Sequence, residues 1–209
     1  FTGAHLPPDQ AGSDAKSNLV SAFTVASMNL SEVVIVFGSW ILRGNRSVKK
    51  DEGSLETISS PIFPELGRIR MDIKLWQFAS PRNKQRKPEI NIGFEENIMV
   101  FSIFPGFRPI LLESIIEKGI KGIIIRGFGP GNIPIQENSL SGSIKKCLEK
   151  NIPVVFSSQT PEGLTNLSLY ETGIVAKNLG VTSSQNMTIE ATITKFMWVL
   201  SRTQNLEEV

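Results

Sequence analysis

Three short runs of β-branched and aliphatic residues, at 98–104, 123–125 and 154–156, are separated by stretches long enough to hold one helix each. Runs of this length without polar alternation suit strands covered on both faces. A helix between successive strands implies a parallel sheet with right-handed crossovers. The intervening stretches carry the matching helical pattern. Pro109 opens one helix, with Leu111, Leu112, Ile115 and Ile116 on a single face. Proline is tolerated there because a first-turn N–H has no intrahelical partner. Gly119 and Gly122 bracket the turn into the next strand, and a second helix is predicted over 139–150. A third, over 187–201, places Ile189, Ile193, Phe196, Met197 and Leu200 at helical spacing.

The first eighty residues are less regular. Ser13 and Asp14 are helix-starting residues, and Leu19, Ala22, Phe23 and Ala26 form an apolar stripe after them. The run at 33–37, closed by Gly38, predicts a strand buried on both faces. Residues 43–67 lack a clean period and contain several Gly and Pro, which predicts a long functional loop. Residues 69–78 suit a strand or a hairpin arm, and 80–96 are polar, charged and Pro-containing, the composition of a linker. The expectation is therefore an α/β chain of three-layer parallel sheets in two domains. They occupy 1–80 and 97–209, joined by a linker at 81–96. Phe1-Thr2-Gly3-Ala4 reads as the end of a buried strand entering a turn, with no initiator Met and no signal peptide. That start is expected of a piece of a longer chain.

Composition closes several routes. No apolar run approaches the ~18–20 residues that a membrane-spanning helix needs. With one cysteine, Cys147, and one histidine, His5, an internal disulfide is impossible and a Cys/His zinc site is not expected. A Ser-His-Asp triad would have to use His5, in a Pro-containing loop. The net charge of +2 owes its sign to Arg82, Lys84, Arg86 and Lys87. One such run in a linker is not the basic stripe of a nucleic-acid binder, so no nucleic-acid and no membrane partner is expected. The lone cysteine fits a reducing compartment. Four N-x-[ST] sequons, at Asn29, Asn45, Asn166 and Asn186, are read as unmodified.

In parallel α/β sheets ligands bind beyond the carboxyl ends of the strands. Three loops are expected there, at 38–53, 127–134 and 157–163. The first contains Lys49, a general base or charge relay if burial lowers its pKa, and otherwise one cation of a solvated loop. The second, Gly127-Phe128-Gly129-Pro130-Gly131-Asn132, lets backbone approach a ligand or simply makes a turn, but Pro130 breaks the dinucleotide-binding spacing. Arg126, at the end of a buried strand, needs a carboxylate partner or an anionic ligand; Glu162 and Glu171 are the protein acids at hand. The third loop is rich in hydroxyls but has no base to activate one.

These motifs resemble a known family. Thr2-Gly3-Ala4, Pro7, Ser13-Asp14, Asn18 and Val25-Ala26 look like the stretch after the second catalytic threonine of the asparaginases. Arg43-Gly44-Asn45-Arg46-Ser47-Val48-Lys49 resembles the catalytic-lysine loop of the bacterial cytoplasmic (type I) branch. The segment from Lys121 to Asn132, then Tyr170-Glu171-Thr172-Gly173, and Asn186-Met187-Thr188 through Lys195 resemble that family's carboxyl-terminal domain.

The resemblance implies a partial Rossmann-like amino-terminal domain and a smaller flavodoxin-like carboxyl-terminal one. It also implies hydrolysis of the L-asparagine side-chain amide through a threonine acyl-enzyme, without a cofactor or metal. Lys49 aligns with the relay lysine, and Ala4 with the residue whose backbone carbonyl holds the substrate amide. Asn132 aligns with an asparagine that reaches a neighbouring subunit's site, so a homodimer or homotetramer follows. Arg126 and Thr160 align with an effector pocket for a second asparagine, although Thr160 and Val48 depart from the type I pattern. Both catalytic threonines and the relay aspartate are expected upstream of Phe1, so residues 1–209 alone are expected to be inactive. Two other readings share these motifs: the glutamine-amidase subunit of a tRNA-dependent amidotransferase, and a non-catalytic amino-acid sensor.

Overall fold

The computed structural model describes residues 1–83, 85, 87, 89–203, 205, 206 and 208. Lys84 and Arg86 of the basic run lie outside the described residues. The chain divides into two compact units, Phe1–Ile90 and Asn91–Val209.

The first unit opens with helix α1 (Ala15–Ser27) and the strands β1 (Val34–Phe37) and β2 (Trp40–Arg43). Only Gly38 and Ser39 separate those strands, and Gly38 takes a φ of +56°, which a side chain would strain. The register runs from Val34 opposite Arg43 to Phe37 opposite Trp40. A 3-10 turn at Gly44–Arg46 leads to β3 (Val48–Lys49), followed by β4 (Ile58–Ser59), β5 (Gly67–Ile69) and β6 (Ile73–Leu75). The sheet order is β1-β2-β5-β6, with every neighbour antiparallel, while β3 and β4 pair as a separate ribbon. The parallel sheet expected here is therefore corrected. A two-residue turn can only reverse the chain, and a parallel neighbour needs a crossover of a dozen residues or so. The long loop expected at 43–67 is likewise corrected, since it holds the β3–β4 ribbon.

Phe1 runs alongside β1, its amine donating to Val34 O at 2.7 Å and its carbonyl accepting from Val36 N at 2.9 Å. Its ring is exposed rather than buried. The core of this unit is Val25, Leu30, Val36, Ile41 and Leu66. Helix α1 packs through Asn18, Val25 and the half-buried Ala22, while Leu19, Phe23 and Ala26 of the predicted stripe are exposed, so the stripe meets the core at Ala22 alone. Strand β1 is fully buried only at Val36 and Phe37.

The second unit contains β7 (Ile98–Ser102), α2 (Pro109–Ile116), β8 (Gly122–Gly127), α3 (Ser141–Glu149) and β9 (Val154–Ser158). Helix α4 (Glu171–Leu179), strand β10 (Thr182–Ser183) and helix α5 (Ile189–Leu200) complete it. All its strands are parallel, in the order β10-β9-β8-β7, as the alternating pattern predicts. Alternate side chains of β8 point to opposite faces. Ile123 and Ile125 join Leu112, Ile116, Ile144, Cys147 and Phe156 in one core, while Ile124 joins Val155, Phe196 and Leu200 of α5 in another. Burying Phe196 and Leu200 stabilises the second layer by ~1.5–3 kcal/mol each. A Cβ on Gly122 would lie 2.5 Å from the Phe196 ring, so this glycine sets how closely α5 approaches the sheet. Thr188 caps α5, its side chain accepting from Ala191 N at 3.2 Å. Strand β7 is half-exposed rather than buried because it forms the sheet's edge.

Candidate active site

Lys49 lies in β3, where its backbone pairs with Ile58, and its ammonium meets Glu52 Oε2 at 2.7 Å. The side chains of Lys49 and Glu52 are 51% and 81% exposed, so this is an exposed ion pair and not a buried relay by itself. The base of the loop is firmer. The Arg43 guanidinium forks onto Glu32, with Nη2 to Oε1 at 2.9 Å and Nε to Oε2. Ser80 N also donates to Glu32 Oε1, at 2.9 Å. The Arg43 hydrogen bond, above all, holds the Glu32 carboxyl down at about 2. The guanidinium carbons of Arg43 and Arg46 lie 4.9 and 4.8 Å from the centre of the Phe63 ring. Ser47, buried, donates to Arg43 O at 2.8 Å and closes the turn before Lys49.

Ala4 is exposed, between two anchored neighbours. Gly3 O accepts from Asn18 Nδ2 at 3.0 Å, and His5 N donates to Asp14 Oδ1 at 2.9 Å. Burial pushes the Asp14 carboxyl up, but the N–H groups of His5, Leu6 and Asn18 outweigh it, so it titrates below its usual range. Asp14 thus supplies no side-chain cap to α1; Ser13 Oγ takes the Ala15 N–H instead, at 3.2 Å.

In the second unit Arg126, Asn132 and Thr160 gather at the carboxyl ends of β8 and β9. Arg126 is half-buried, its Nε has no hydrogen-bond partner, and Nη1 reaches Ser102 Oγ at only 3.5 Å. Among the described residues no carboxylate pairs with it, so neither Glu162 nor Glu171 is its partner. Gln159 Nε2 donates to Arg126 O at 2.8 Å and to Ile103 O at 2.7 Å, tying the strand ends together beside Thr160. Thr160 N donates to Ser158 Oγ at 2.9 Å.

The glycine segment folds back on itself, with Phe128 N donating to Asn132 O at 2.9 Å and Asn132 N to Phe128 O at 2.8 Å. A Cβ on Gly127 would fall 2.6 Å from the Gly131 carbonyl carbon, so the turn closes only around glycine. Asn132 Oδ1 accepts from Thr172 Oγ1 at 2.7 Å, which links the turn to α4.

Lys49 and Ala4 thus lie on separate elements of the first unit, and Arg126, Asn132 and Thr160 share one end of the second unit's sheet. The loop at 38–53 does not leave a parallel strand, because it begins in the β1–β2 turn. A groove of about 480 Å³ lies between residues 164–168 and Lys177, Ser183 and Gln185, and none of the expected site residues lines it. Cys147 is buried, which pushes its thiol up to about 11 and leaves it unreactive. Among the described residues no group of acids, His and Cys is arranged to hold a metal ion, and no helix is long and apolar enough to cross a membrane. Sequence reasoning misses Glu32 and Phe63, and it reads Asp14 and Asn18 as a helix start and a family motif without a role. The signal available is a lone acid before β1 and two polar residues one helical turn apart.

The family model for the glutaminase/asparaginase C-terminal domain matches residues 97–209, and that for the asparaginase N-terminal domain matches 1–80. The chain belongs to the asparaginase/glutaminase family. An L-asparaginase from Thermococcus kodakarensis is 31% identical over 209 residues, which cover 100% of this chain and 63% of that protein. A glutamyl-tRNA(Gln) amidotransferase subunit from Methanobrevibacter smithii is 32% identical, covering 100% of this chain and 49% of that protein. The family fold is also evident in solved structures. The thermostable L-asparaginase from Thermococcus kodakarensis superposes with a TM-score of 0.91 at 30% identity, covering 99% of this chain and 62% of that one. L-asparaginase I from Vibrio cholerae gives 0.89 at 30% identity, covering 99% and 63%. The chain thus spans between about half and two thirds of these relatives' length.

Proposed function

We propose that this chain is the greater part of a type I L-asparaginase, hydrolysing the side-chain amide of L-asparagine to L-aspartate and ammonia. The observation that carries the reading is the match to an L-asparaginase over 99% of the chain, with a TM-score of 0.91. A threonine hydroxyl, supplied by residues outside these 209, attacks the side-chain carbonyl carbon, and ammonia leaves with the added proton. Water then cleaves the ester and regenerates the threonine. Lys49 belongs to the relay that activates the nucleophile or the water, and the Ala4 carbonyl accepts from the substrate amide nitrogen. No metal or cofactor takes part.

Asn132 serves a neighbouring subunit's site, in a cytoplasmic homodimer or homotetramer. Arg126 and Thr160 form an effector pocket, which the orphaned Arg126 Nε supports. The two family matches, over 1–80 and 97–209, support a division into an amino-terminal and a carboxyl-terminal domain joined by a linker at 81–96.

The 32% identity to a glutamyl-tRNA(Gln) amidotransferase chain supports a second reading, ammonia release from glutamine for a tRNA-dependent partner. Ammonia release from L-asparagine and from L-glutamine, measured on the complete protein and on Lys49→Met, tests both. Turnover of asparagine that falls by ~10²–10⁴ in the variant is the expected result. Near-normal turnover in Lys49→Met refutes the role of the lysine, and release from glutamine alone favours the second reading.

A further inference from the structure

A helix that packs on a sheet ordinarily buries apolar side chains, yet beside Val25 the inward face of α1 also buries Asn18, 2% exposed, and the N-cap residue Asp14, 9% exposed. Leu19 and Phe23, which would pack at no polar cost, face solvent instead. The two polar groups are spent on one short segment and one turn. Asp14 Oδ1 accepts from His5 N at 2.9 Å and Leu6 N at 3.1 Å, and Oδ2 accepts from Asn18 Nδ2 at 2.8 Å. Asn18 Nδ2 also donates to Gly3 O at 3.0 Å, and its Oδ1 accepts from Gly38 N at 3.1 Å. The backbone is held immediately before and immediately after Ala4. Ala4 itself has no hydrogen-bond partner among the described residues, and it is exposed.

We propose that Asp14 and Asn18 are positioning residues: they clamp residues 3–6 so that the Ala4 carbonyl is fixed and free to accept from the amide nitrogen of the substrate. The inference rests on the asparaginase reading, which gives Ala4 its ligand. A buried carboxylate suits this task because it accepts from several backbone N–H groups at once, where a carboxamide offers a single acceptor oxygen. The link from Asn18 to Gly38 fastens the same clamp to the β1–β2 turn.

The test compares two substrates that differ at the atom concerned. L-Asparagine presents an N–H to the Ala4 carbonyl, and the β-methyl ester of L-aspartate has none. Both pass through the same acyl-enzyme. In Asp14→Asn the ratio of kcat/KM for ester to that for amide should rise about tenfold, the value of one hydrogen bond. Unfolded protein lowers both activities equally and leaves the ratio untouched. Asn18→Ser, which withdraws the bond to Gly3 O, reads the same ratio if Asp14→Asn fails to fold. Equal losses on both substrates, or no loss on either, overturn the positioning role while leaving the asparaginase reading intact. A wild-type protein that hydrolyses neither substrate overturns both.

Discussion

Glu32→Gln is the substitution whose effect follows most directly from the structure. The wild-type carboxylate is 9% exposed and receives the Arg43 fork together with Ser80 N. Its titration moves from 4.5 down to about 2, chiefly through the Arg43 hydrogen bond. At ~1.4 kcal/mol per unit, that displacement is worth about 3 kcal/mol. The Arg43 side chain is 22% exposed, so solvent screening trims the figure to ~2–3 kcal/mol. Because the folded value lies below the unfolded one, the contribution is complete above pH 4.5 and is lost as pH falls through about 2.

Glutamine keeps the shape and removes the charge, so the variant resembles the protein protonated at Glu32. Urea unfolding of both proteins, at neutral pH and at successively lower pH, isolates this pair from the other carboxylates that titrate in the same window. The expected difference is ~2–3 kcal/mol at neutral pH, shrinking towards zero as pH approaches about 2. A neutral-pH difference below ~0.5 kcal/mol, the usual size for a surface pair, would refute the reasoning. So would a difference that does not change with pH.

Two further substitutions test the second unit. Arg126→Met should leave the unfolding midpoint nearly unchanged, since no described carboxylate loses a partner, while converting a sigmoidal L-asparagine saturation curve to a hyperbola. A hyperbolic wild-type curve would end the effector reading. Gly122→Ala should destabilise by ~1–3 kcal/mol, because the new methyl meets Phe196 at 2.5 Å and Leu200 at 2.6 Å; chemical denaturation reads this directly.

The second unit is legible where residue type and burial agree. Ile123, Ile124 and Ile125 are apolar and buried, and α5 shows its period in Phe196 and Leu200. Helix α4 escapes a sequence reading because Gly173 interrupts its pattern. The gap is structural, as a Cβ there would lie 2.6 Å from Leu167 O. Strand β10, two residues long, is too short to show any period. In the first unit the apolar pattern misleads. Helix α1 hides Asn18 beside Val25 and Ala22 and displays Leu19 and Phe23, so the hydrophobic stripe catches the inward face only at Ala22. The antiparallel sheet is signalled only by Gly38, which in sequence looks like the end of a strand and in the structure is half of a two-residue turn. Of the proposed site, Ala4 is visible by family resemblance alone, and Lys49 by that resemblance and its place in the loop after β2. Arg126 stands out in the sequence because the strand before it is so apolar, but the protein carboxylate expected to pair with it is absent among the described residues.

The contrast between the two sheets has a kinetic side. Phe37 meets Trp40 across a turn of two residues, so the β1–β2 ladder can zip almost as soon as those residues leave the ribosome. In the second unit Ile98 meets Gly122 only after α2 has been traversed, and Ile123 meets Val154 only after α3. Each such contact carries the entropy of closing a longer loop, which slows a parallel sheet relative to a hairpin. Chaperone dependence during synthesis should therefore concentrate in the carboxyl-terminal half, whose isoleucine-rich strands stay exposed for longest.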